Sequence, residues 1–334
     1  MARIITQGGH GFTPAHSSRI LCTTLHRTTP LQRILLITLS NIGDVVLTTP
    51  VLERLHQRYP EAVIDILTDA RASELLTHCP YRGDILLKDK RAGWRGVLQL
   101  VRALRRSRYE LIVDLRTDGL AYLLRAKRRY TKWGARPPGS HAVEDHMGVI
   151  AALGGAIPPT HIWLNDDLRG NAATQLMTLP GQRWLALGPG ANSPPKIWAV
   201  ERFRDMVTLT KESFDAVILL GGPADRERAA CVAEDCALPC LNLCGATDLL
   251  QAAAVLARAR AFVGNDSGLG HLASAVGTPT LTVFGPGRPL RYHPWGPQCA
   301  WIVAEDRNLD SLSAHSVAGR LRTLLEASAN DRRN

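Results

Sequence analysis

The stretch RILLITLSNIGDVVLTTPVL (33–52) decides the fold. Its first seven residues are an almost continuous apolar run, which is typical of a parallel strand buried on both faces. A turn, Ser-Asn-Ile-Gly-Asp, follows, and apolar residues at helical spacing continue to Tyr59, just before Pro60. The pattern predicts a strand–turn–helix unit in which Pro50 kinks the helix or marks its effective start.

The same unit recurs along most of the chain. Further strands are predicted at 63–69, 84–89 and 109–118, and a second series begins with a strand at 184–190. The stretch between the two series, 134–182, is rich in Gly and Pro. Alternation of strands and helices indicates parallel sheets covered by helices on both faces. The predicted fold is therefore α/β, with two Rossmann-like, doubly wound domains facing a central cleft.

The changes in pattern set the predicted boundaries. The first domain is expected at 33–165, the second at 182–310, and a C-terminal helix and tail at 311–334. Residues 1–32 contain no Asp or Glu and show no period, so we expect a poorly ordered N-terminal extension.

Composition narrows the class of protein. The chain is 45% hydrophobic and 21% charged, which is ordinary for a soluble globular protein. No uncharged apolar run approaches the roughly 20 residues of a membrane-spanning helix. The seven cysteines do not form a disulfide framework and no secretory signal is recognised, so a reducing cytosol is expected. Four clustered cysteines are interpreted as small buried hydrophobes rather than as a zinc site: Cys231, Cys236, Cys240 and Cys244.

Positive charge is concentrated in one segment. The net charge is +10, and residues 82–136 hold sixteen Lys and Arg against five Asp and Glu, which accounts for all of it. Such a segment is either a solvated helix face or a surface for an anionic partner, such as a phosphorylated glycolipid, an acidic membrane or a nucleic acid. The asymmetry between the two halves of the chain favours the functional interpretation.

The stretch VGNDSGLGHLASAVGTP (263–279) predicts a strand, a glycine turn and a helix. Backbone N–H groups at a helix N-terminus form a site for phosphate oxygens. A capping Asp-Ser pair with a core histidine explains the same residues equally well. The residues expected to bind a ligand here are Asp266, Ser267, Gly268, Leu269 and His271.

A lysine stands out in LGPGANSPPKIWAVERF (187–203). Lys196 lies close to a predicted helix N-terminus, where the helix dipole disfavours a cation unless an anion bridges the two. It is therefore a candidate phosphate ligand, although lysines are usually surface residues. The glycine turn LLGGPAD (219–225) could pass under a base or ribose. The nucleotide motifs G-x-G-x-x-G and G-x-x-x-x-G-K-[ST] are absent from both stretches.

Asp44 has two interpretations. It follows the turn formed by Ser40, Asn41 and Gly43, in the first turn of the predicted helix, where the dipole favours a carboxylate. A carboxylate pointing into a cleft could act as a general base. On spacing alone, an aspartate that merely begins a helix is favoured.

Three stretches together resemble the heptosyltransferase family of bacterial lipopolysaccharide synthesis, glycosyltransferase family 9. They are SNIGDVVLTTPVLERLHQRYP, PGANSPPKIWAVERF and FVGNDSGLGHLASAVGTPTLTVFGP, in the family's order and spacing. The resemblance runs from about Arg33 to Ala329. It implies a GT-B fold and an inverting transfer that needs no metal ion and no cofactor.

The resemblance also implies roles for individual residues. The first domain would bind an anionic glycolipid acceptor and the second a nucleotide-sugar donor, usually ADP-heptose. Asp44 would be the general base and Lys196 the ligand of the leaving phosphate. The Asp-Ser-Gly-x-x-His loop from Asp266 would bind the donor, as would Asn192 and Ser193. Ala191 and Asn192 replace the hydroxyl residues that the family often has shortly before the lysine, and Ser193 lies one place further on. No acceptor residue carries over by motif.

The expected location is cytoplasmic, with peripheral contact at the inner membrane, and no nucleic-acid partner is expected. Two other hypotheses remain open at this point. The first is a nucleotide-sugar epimerase or a protein glycosyltransferase on the same fold. The second is a non-enzymatic, basic nucleotide-binding protein.

Overall fold

The structure, a computed structural model, describes residues 33–88, 93–116, 119–135 and 139–331. The expected N-terminal extension at 1–32 lies outside the described residues. So do three parts of the basic segment and the last three residues of the tail.

The first half of the chain forms a five-stranded parallel sheet in the order β3-β2-β1-β4-β5. Its strands are β1 (Arg33–Ile37), β2 (Val63–Thr68), β3 (Arg82–Leu87), β4 (Tyr109–Asp114) and β5 (Ala126–Thr131). The helices of this half are α1 (Ile42–Val46), α2 (Thr49–Arg58), α3 (Gly93–Leu104), α4 (Leu120–Leu123) and α5 (Ala142–Val149). Alternate residues of β1 face opposite sides, so Ile34 packs with α1 and α2 while Leu35 packs with α3 and α4.

A six-stranded parallel sheet forms the second half, in the order β11-β10-β9-β6-β7-β8. Its strands are β6 (Trp184–Gly188), β7 (Ala216–Leu219), β8 (Cys240–Asn242), β9 (Ala261–Asn265), β10 (Thr280–Phe284) and β11 (Cys299–Val303). The helices are α6 (Asp166–Leu176), α7 (Val200–Thr210), α8 (Arg226–Glu234), α9 (Leu249–Leu256), α10 (Gly268–Ala275), α11 (Pro289–Tyr292) and α12 (Ala314–Asp331).

Strand order places the motif turns at the carboxyl ends of inner strands of the two sheets. In each sheet the first strand, β1 or β6, lies inside, and the chain extends the sheet first on one side and then on the other. Ligands of such sheets bind beyond the carboxyl ends of the strands at this reversal point. The turn before Asp44 follows β1, and the turns before Lys196 and Gly268 follow β6 and β9, which are neighbours.

The sequence missed several elements. The stretch 134–182 contains α5 and α6, and β5 and β11 were not predicted. β5 reads AKRRYT, a half-exposed edge strand without the apolar run of a buried strand. α5 begins with a capping box at His141, an unusual capping residue.

The structure also defines where two of the helices begin. The helix predicted from about Asp44 to Tyr59 is two helices, because α2 begins anew with Pro50 in its first turn. At α9, Asp248 is the N-cap, and it forms a capping box with Gln251.

The apolar core joins the two halves. One cluster of buried side chains runs from β1 and α2 of the first sheet to α9 and α10 beside the second. Both sheets belong to one compact unit. All strands fall within the predicted domain ranges, while the boundaries themselves stay predictions. Among the described helices, none has the length and apolar character required to cross a bilayer.

Candidate active site

A cavity of about 610 Å³ lies where the carboxyl ends of the two sheets face each other. Its wall is built from all four predicted turns and from the start of α9. The lining residues are Asn41, Ile42, Gly43, Asp44, Leu47, Arg71, Gly190, Ala191, Asn192, Lys196, Gly221, Gly222, Asp225, Thr247, Asp248, Leu249, Ala252, Asp266, Ser267, Gly268, Leu269, His271 and Tyr292. The volume is typical of a small-molecule site.

Asp44 lies in the first turn of α1 and lines this cavity. Its Oδ2 accepts a hydrogen bond of 2.8 Å from the side-chain amide of Asn41. Asn41 is the N-cap of α1, yet its side chain makes no capping bond. The amide therefore orients the carboxylate of Asp44 instead of capping the helix.

The N-termini of α1 and α10 meet across the cavity through glycines. A Cβ atom on Gly43 would lie 2.6 Å from Cδ2 of His271, and one on Gly268 would lie 2.9 Å from Cγ2 of Ile42. Both distances are too short for any side chain. Glycine at both positions thus allows the turn that carries Asp44 to pack directly on the turn that begins α10.

The structure shows no side-chain cap at the Asp-Ser-Gly turn. Ser267 is the N-cap of α10 but makes no side-chain capping bond, and its Oγ is buried without a hydrogen-bond partner. The Nδ1 of His271 is likewise buried and unpartnered. A capping serine with a satisfied core histidine is therefore not what the fold contains. Both residues line the cavity.

Burial controls the charge of His271. The surrounding protein lowers the pKa of its imidazole to about 4, and the nearby carboxylate of Asp44 opposes this only in part. The ring is consequently neutral near pH 7, when one of its nitrogens can accept a hydrogen bond.

Lys196 and Asp266 form an ion pair in the cavity wall. The Nζ of Lys196 lies 2.6 Å from Oδ2 of Asp266, and the two side chains are 28% and 13% exposed. The sequence assigned them separate ligand contacts and did not predict the pair. Because the carboxylate of Asp266 holds Lys196, the ammonium group of Lys196 lies beside the turn that begins α10.

Asn265 joins the turns on the second sheet, and the sequence analysis missed it. This fully buried residue ends β9. Its Oδ1 accepts from the backbone N of Trp198 at 3.0 Å, and its Nδ2 donates to the carbonyl of Pro189 at 2.9 Å. An amide at the end of an apolar strand was the available signal. Asn265 fixes the loop of Lys196 relative to Asp266.

The predicted residues are not all in the wall. Asn192 and Leu269 line the cavity, but Ser193 and Ser40 do not. Ser193 begins a 3-10 turn, and its carbonyl accepts from the backbone N of Lys196. Ser40 precedes the α1 turn with its hydroxyl buried and unpartnered.

Several lining residues had no motif signal, including Arg71 and Tyr292. Asp225 completes the LLGGPAD turn, but the sequence assigned it no individual role. Its Oδ2 accepts from the backbone N of Gly222 at 3.0 Å, and its carboxylate fills the space that a side chain on Gly190 would need. These residues come from separate loops, so only the tertiary structure brings them together.

A hydrogen bond closes the cavity on the α9 side. Glu74 lies in a 3-10 turn after β2, and its Oε1 accepts from the backbone N of Leu249 at 2.9 Å. The first half of the chain thus satisfies an orphan N–H of a helix in the second half.

His141 makes a second connection between the halves. Its Nδ1 accepts from the backbone N of Val143, capping α5, while its Nε2 bonds to the carbonyl of His293 at 2.9 Å. This arrangement requires the neutral ring, protonated at Nε2. Burial lowers the pKa of His141 to about 4, and the hydrogen bond to the carbonyl of His293 opposes this only in part.

Acidification is therefore expected to destabilise the protein. Between about pH 6.5 and 4, His141 is protonated in the unfolded chain but stays neutral in the folded chain. The free energy of unfolding therefore falls as the pH falls. For this one residue the loss is about 2 kcal/mol at pH 5. His141→Asn retains an N-cap without titrating, so urea unfolding of the variant should show a shallower pH dependence. Parallel pH curves for the variant and the unchanged protein would contradict this role.

The cysteine interpretation was only partly right. Cys244 is buried, and burial raises the pKa of its thiol to about 12, whereas Cys231 is exposed and Cys236 and Cys240 are half-buried. Throughout the described ranges, no three His, Cys, Asp or Glu side chains converge as they would around a metal ion.

Solved structures share this architecture. A glycosyltransferase family 9 protein from Veillonella parvula superposes with a TM-score of 0.77 at 22% identity, over 89% of this chain and 97% of its own. The E. coli ADP-heptose LPS heptosyltransferase II gives 0.74 at 21%, over 89% and 100%. The E. coli heptosyltransferase WaaC, solved with ADP-2-deoxy-2-fluoro heptose, gives 0.68 at 24%, over 87% and 99%. The fold is GT-B, as predicted.

Sequence comparison identifies the family. The family model described as glycosyltransferase family 9 (heptosyltransferase) matches residues 119–321. Lipopolysaccharide heptosyltransferase 3 of E. coli K12 is 28% identical over 284 residues, which cover 76% of this chain and 82% of the relative. Lipopolysaccharide heptosyltransferase 1 of Pseudomonas aeruginosa is 29% identical over 298 residues, covering 77% and 80%. The chain belongs to glycosyltransferase family 9 and is a glycosyltransferase, which removes the non-enzymatic hypothesis.

Proposed function

We propose that this enzyme transfers a heptose from ADP-heptose to a hydroxyl of an anionic glycolipid of the lipopolysaccharide core. The transfer inverts the anomeric configuration and uses no metal ion. One observation carries the proposal: Asp44 and the N-terminus of α10 face the same cavity, where Lys196, in the loop after β6, pairs with Asp266. The names of the relatives support the choice of donor and acceptor.

The proposed chemistry needs one base and one anion site. The carboxylate of Asp44 takes the proton of the acceptor hydroxyl, whose oxygen attacks the anomeric carbon from the face opposite the leaving group. The bond from that carbon to the diphosphate oxygen breaks, and ADP leaves with the electron pair. An ionised diphosphate needs no general acid, in contrast to the paired carboxylates of glycosidases.

Charge on the departing diphosphate would be balanced within the cavity wall. The Nζ of Lys196 is one donor, and the free N–H groups in the first turn of α10 are others. The hydroxyl of Ser267 is buried and unpartnered and adds a further donor. Asp266 exchanges part of its bond with Lys196 for sugar hydroxyls when the donor binds.

The acceptor is proposed to reach the cavity from the first half of the chain. The basic segment supplies cations for phosphorylated inner-core sugars, and the enzyme would work in the cytoplasm with peripheral contact to the inner membrane. Arg71, an exposed cavity residue, provides positive charge on this side.

Ligand-induced stabilisation tests the donor. ADP at about 100 times its dissociation constant should stabilise the protein by about 2.7 kcal/mol and raise its melting temperature, while UDP should not. ADP-heptose with a lipopolysaccharide-core acceptor should release ADP in the presence of EDTA, and donor alone should not turn over. Stabilisation by UDP alone, or turnover without acceptor, would refute the assignment.

A further inference from the structure

The basic segment carries an exposed apolar surface that the sequence pattern did not reveal. Eleven large hydrophobic side chains are exposed among the described residues, and seven of them lie between positions 87 and 133. We call six of these seven, which lie on or next to α3, α4 and β5, the apolar patch. It consists of Trp94, Val97, Leu98, Tyr122, Leu123 and Trp133.

The patch is built on one face of the first sheet. Val101 and Leu104 anchor α3, and Leu120 and Ala121 anchor α4, in the same buried cluster. The Nε of Arg105 donates to the carbonyl of Leu123 at 2.7 Å, which ties the end of α3 to α4. The rings of Tyr122 and Trp133 stack with centroids 5.2 Å apart. The patch residues are thus held by two adjacent helices and the end of β5.

α3 does not bury its whole apolar side. Trp94 and Leu98 are one helical turn apart and are 72% and 40% exposed, although Val101 on the adjacent side is buried. Arg95 and Arg102 are exposed on the other flank of this line. A basic helix whose apolar residues remain in solvent is typical of an interfacial membrane helix.

Charge around the patch has one sign. Nine Lys and Arg are exposed in 93–116 and 119–135, and no Asp or Glu is exposed in these ranges. Glu110 is half-buried and pairs with Lys127. Tryptophan and tyrosine beside basic residues match the interface of a bilayer, where rings enter the headgroup region and cations meet anionic lipids.

Topology places the patch near the mouth of the cavity. α3 and α4 start after the carboxyl ends of β3 and β4, and Trp133 follows the carboxyl end of β5. In a parallel sheet the carboxyl ends of all strands lie at the same end of the sheet. The turn that carries Asp44 lies at this end too. A membrane bound at the patch would lie beside the acceptor half of the cavity.

The geometry points to the apolar patch and its flanking arginines as the surface that docks this enzyme on an anionic lipid bilayer. The inference rests on the proposed function, because a glycolipid acceptor is presented at a membrane. It adds the surface and its mode of contact: the tryptophans enter the interface while the arginines bind lipid phosphates.

Flotation with vesicles tests the inference. The full chain should bind vesicles of phosphatidylcholine mixed with phosphatidylglycerol, and bind much less to phosphatidylcholine alone. Arg95→Glu with Arg102→Glu should weaken binding by roughly fivefold or more for each cation changed. Trp94→Ser with Leu98→Ser should weaken it by about tenfold or more. The matched controls, Arg320→Glu and Met177→Ser, alter exposed residues outside the patch and should bind as before.

Fluorescence supplies an independent readout. Brominated lipid should quench part of the tryptophan emission, and Trp94→Phe with Trp133→Phe should remove that quenching. Equal binding by patch and control variants would overturn the inference. So would a dimer that dissociates on Trp94→Ser, or a preference for nucleic acid over the anionic vesicles.

The vesicles contain neither glycolipid nor donor, so this test is separate from catalysis. The apolar variant, Trp94→Ser with Leu98→Ser, should retain turnover with acceptor dispersed in detergent. If the unchanged protein did not turn over ADP-heptose, the proposed function would be refuted. If it turned over ADP-heptose but did not float with vesicles, only the docking surface would be refuted.

Discussion

Asp44→Asn is expected to lower the rate of sugar transfer by between about a hundredfold and ten thousandfold, the usual contribution of a general base. The amide has the size of the carboxylate, and its oxygen can still accept from the side chain of Asn41. It cannot accept the proton of the acceptor hydroxyl. Because the change is isosteric, the fold and the affinity for ADP should be largely retained.

The measurement is single-turnover transfer at saturating donor and acceptor, with ADP affinity measured separately by thermal shift. Asp235→Asn is the matched control: it makes the same chemical change on an exposed side chain that pairs with Arg204 away from the cavity. Retained turnover in Asp44→Asn, or loss of ADP binding with turnover intact, would show that Asp44 merely begins the helix.

Lys196→Met should reduce kcat/KM for the donor by about a hundredfold to a thousandfold, as expected when one donor to a developing charge is removed. The methionine keeps the length of the side chain but loses the cation that lies 2.6 Å from Asp266. Since Lys196 would contact the diphosphate both before and during bond breaking, KM for the donor should rise and kcat should fall.

A purely structural ion pair makes a different prediction. In that case Asp266→Asn and Lys196→Met would lower the melting temperature alike, and the loss of activity would follow the loss of stability. Donor kinetics and thermal unfolding of both variants separate the two outcomes. Lys211→Met, at an exposed lysine outside the cavity wall, controls for removal of a surface charge.

The sequence motifs predicted where these residues lie in the fold but not all of the contacts that they make. Glycine turns after apolar strands located Asp44, Lys196 and Asp266, because strand ends can be recognised from local pattern. The ion pair between Lys196 and Asp266 joins positions 70 residues apart, and no local pattern encodes it. Asn265 was missed for the same reason, since its partners lie in a different loop.

Polar and basic secondary-structure elements were the hardest to predict from the sequence. β5 and the cap of α5 lack apolar periodicity, and the edge position and the His141 cap emerge only when the neighbouring elements are present. The apolar patch shows a related limit, because the sequence of α3 does not say which of its apolar residues the sheet will cover.

By itself, the sequence determined the α/β class, the two series of parallel strands and the family, because period and motif are local properties of the chain. Tertiary structure decided the site. Only packing of α1 against α10, through Gly43 and Gly268, puts Asp44 opposite the turn that begins α10. Side-chain exposure was decided in the same way: Val101 and Leu104 of α3 pack into the buried cluster on the sheet, whereas Trp94 remains in solvent.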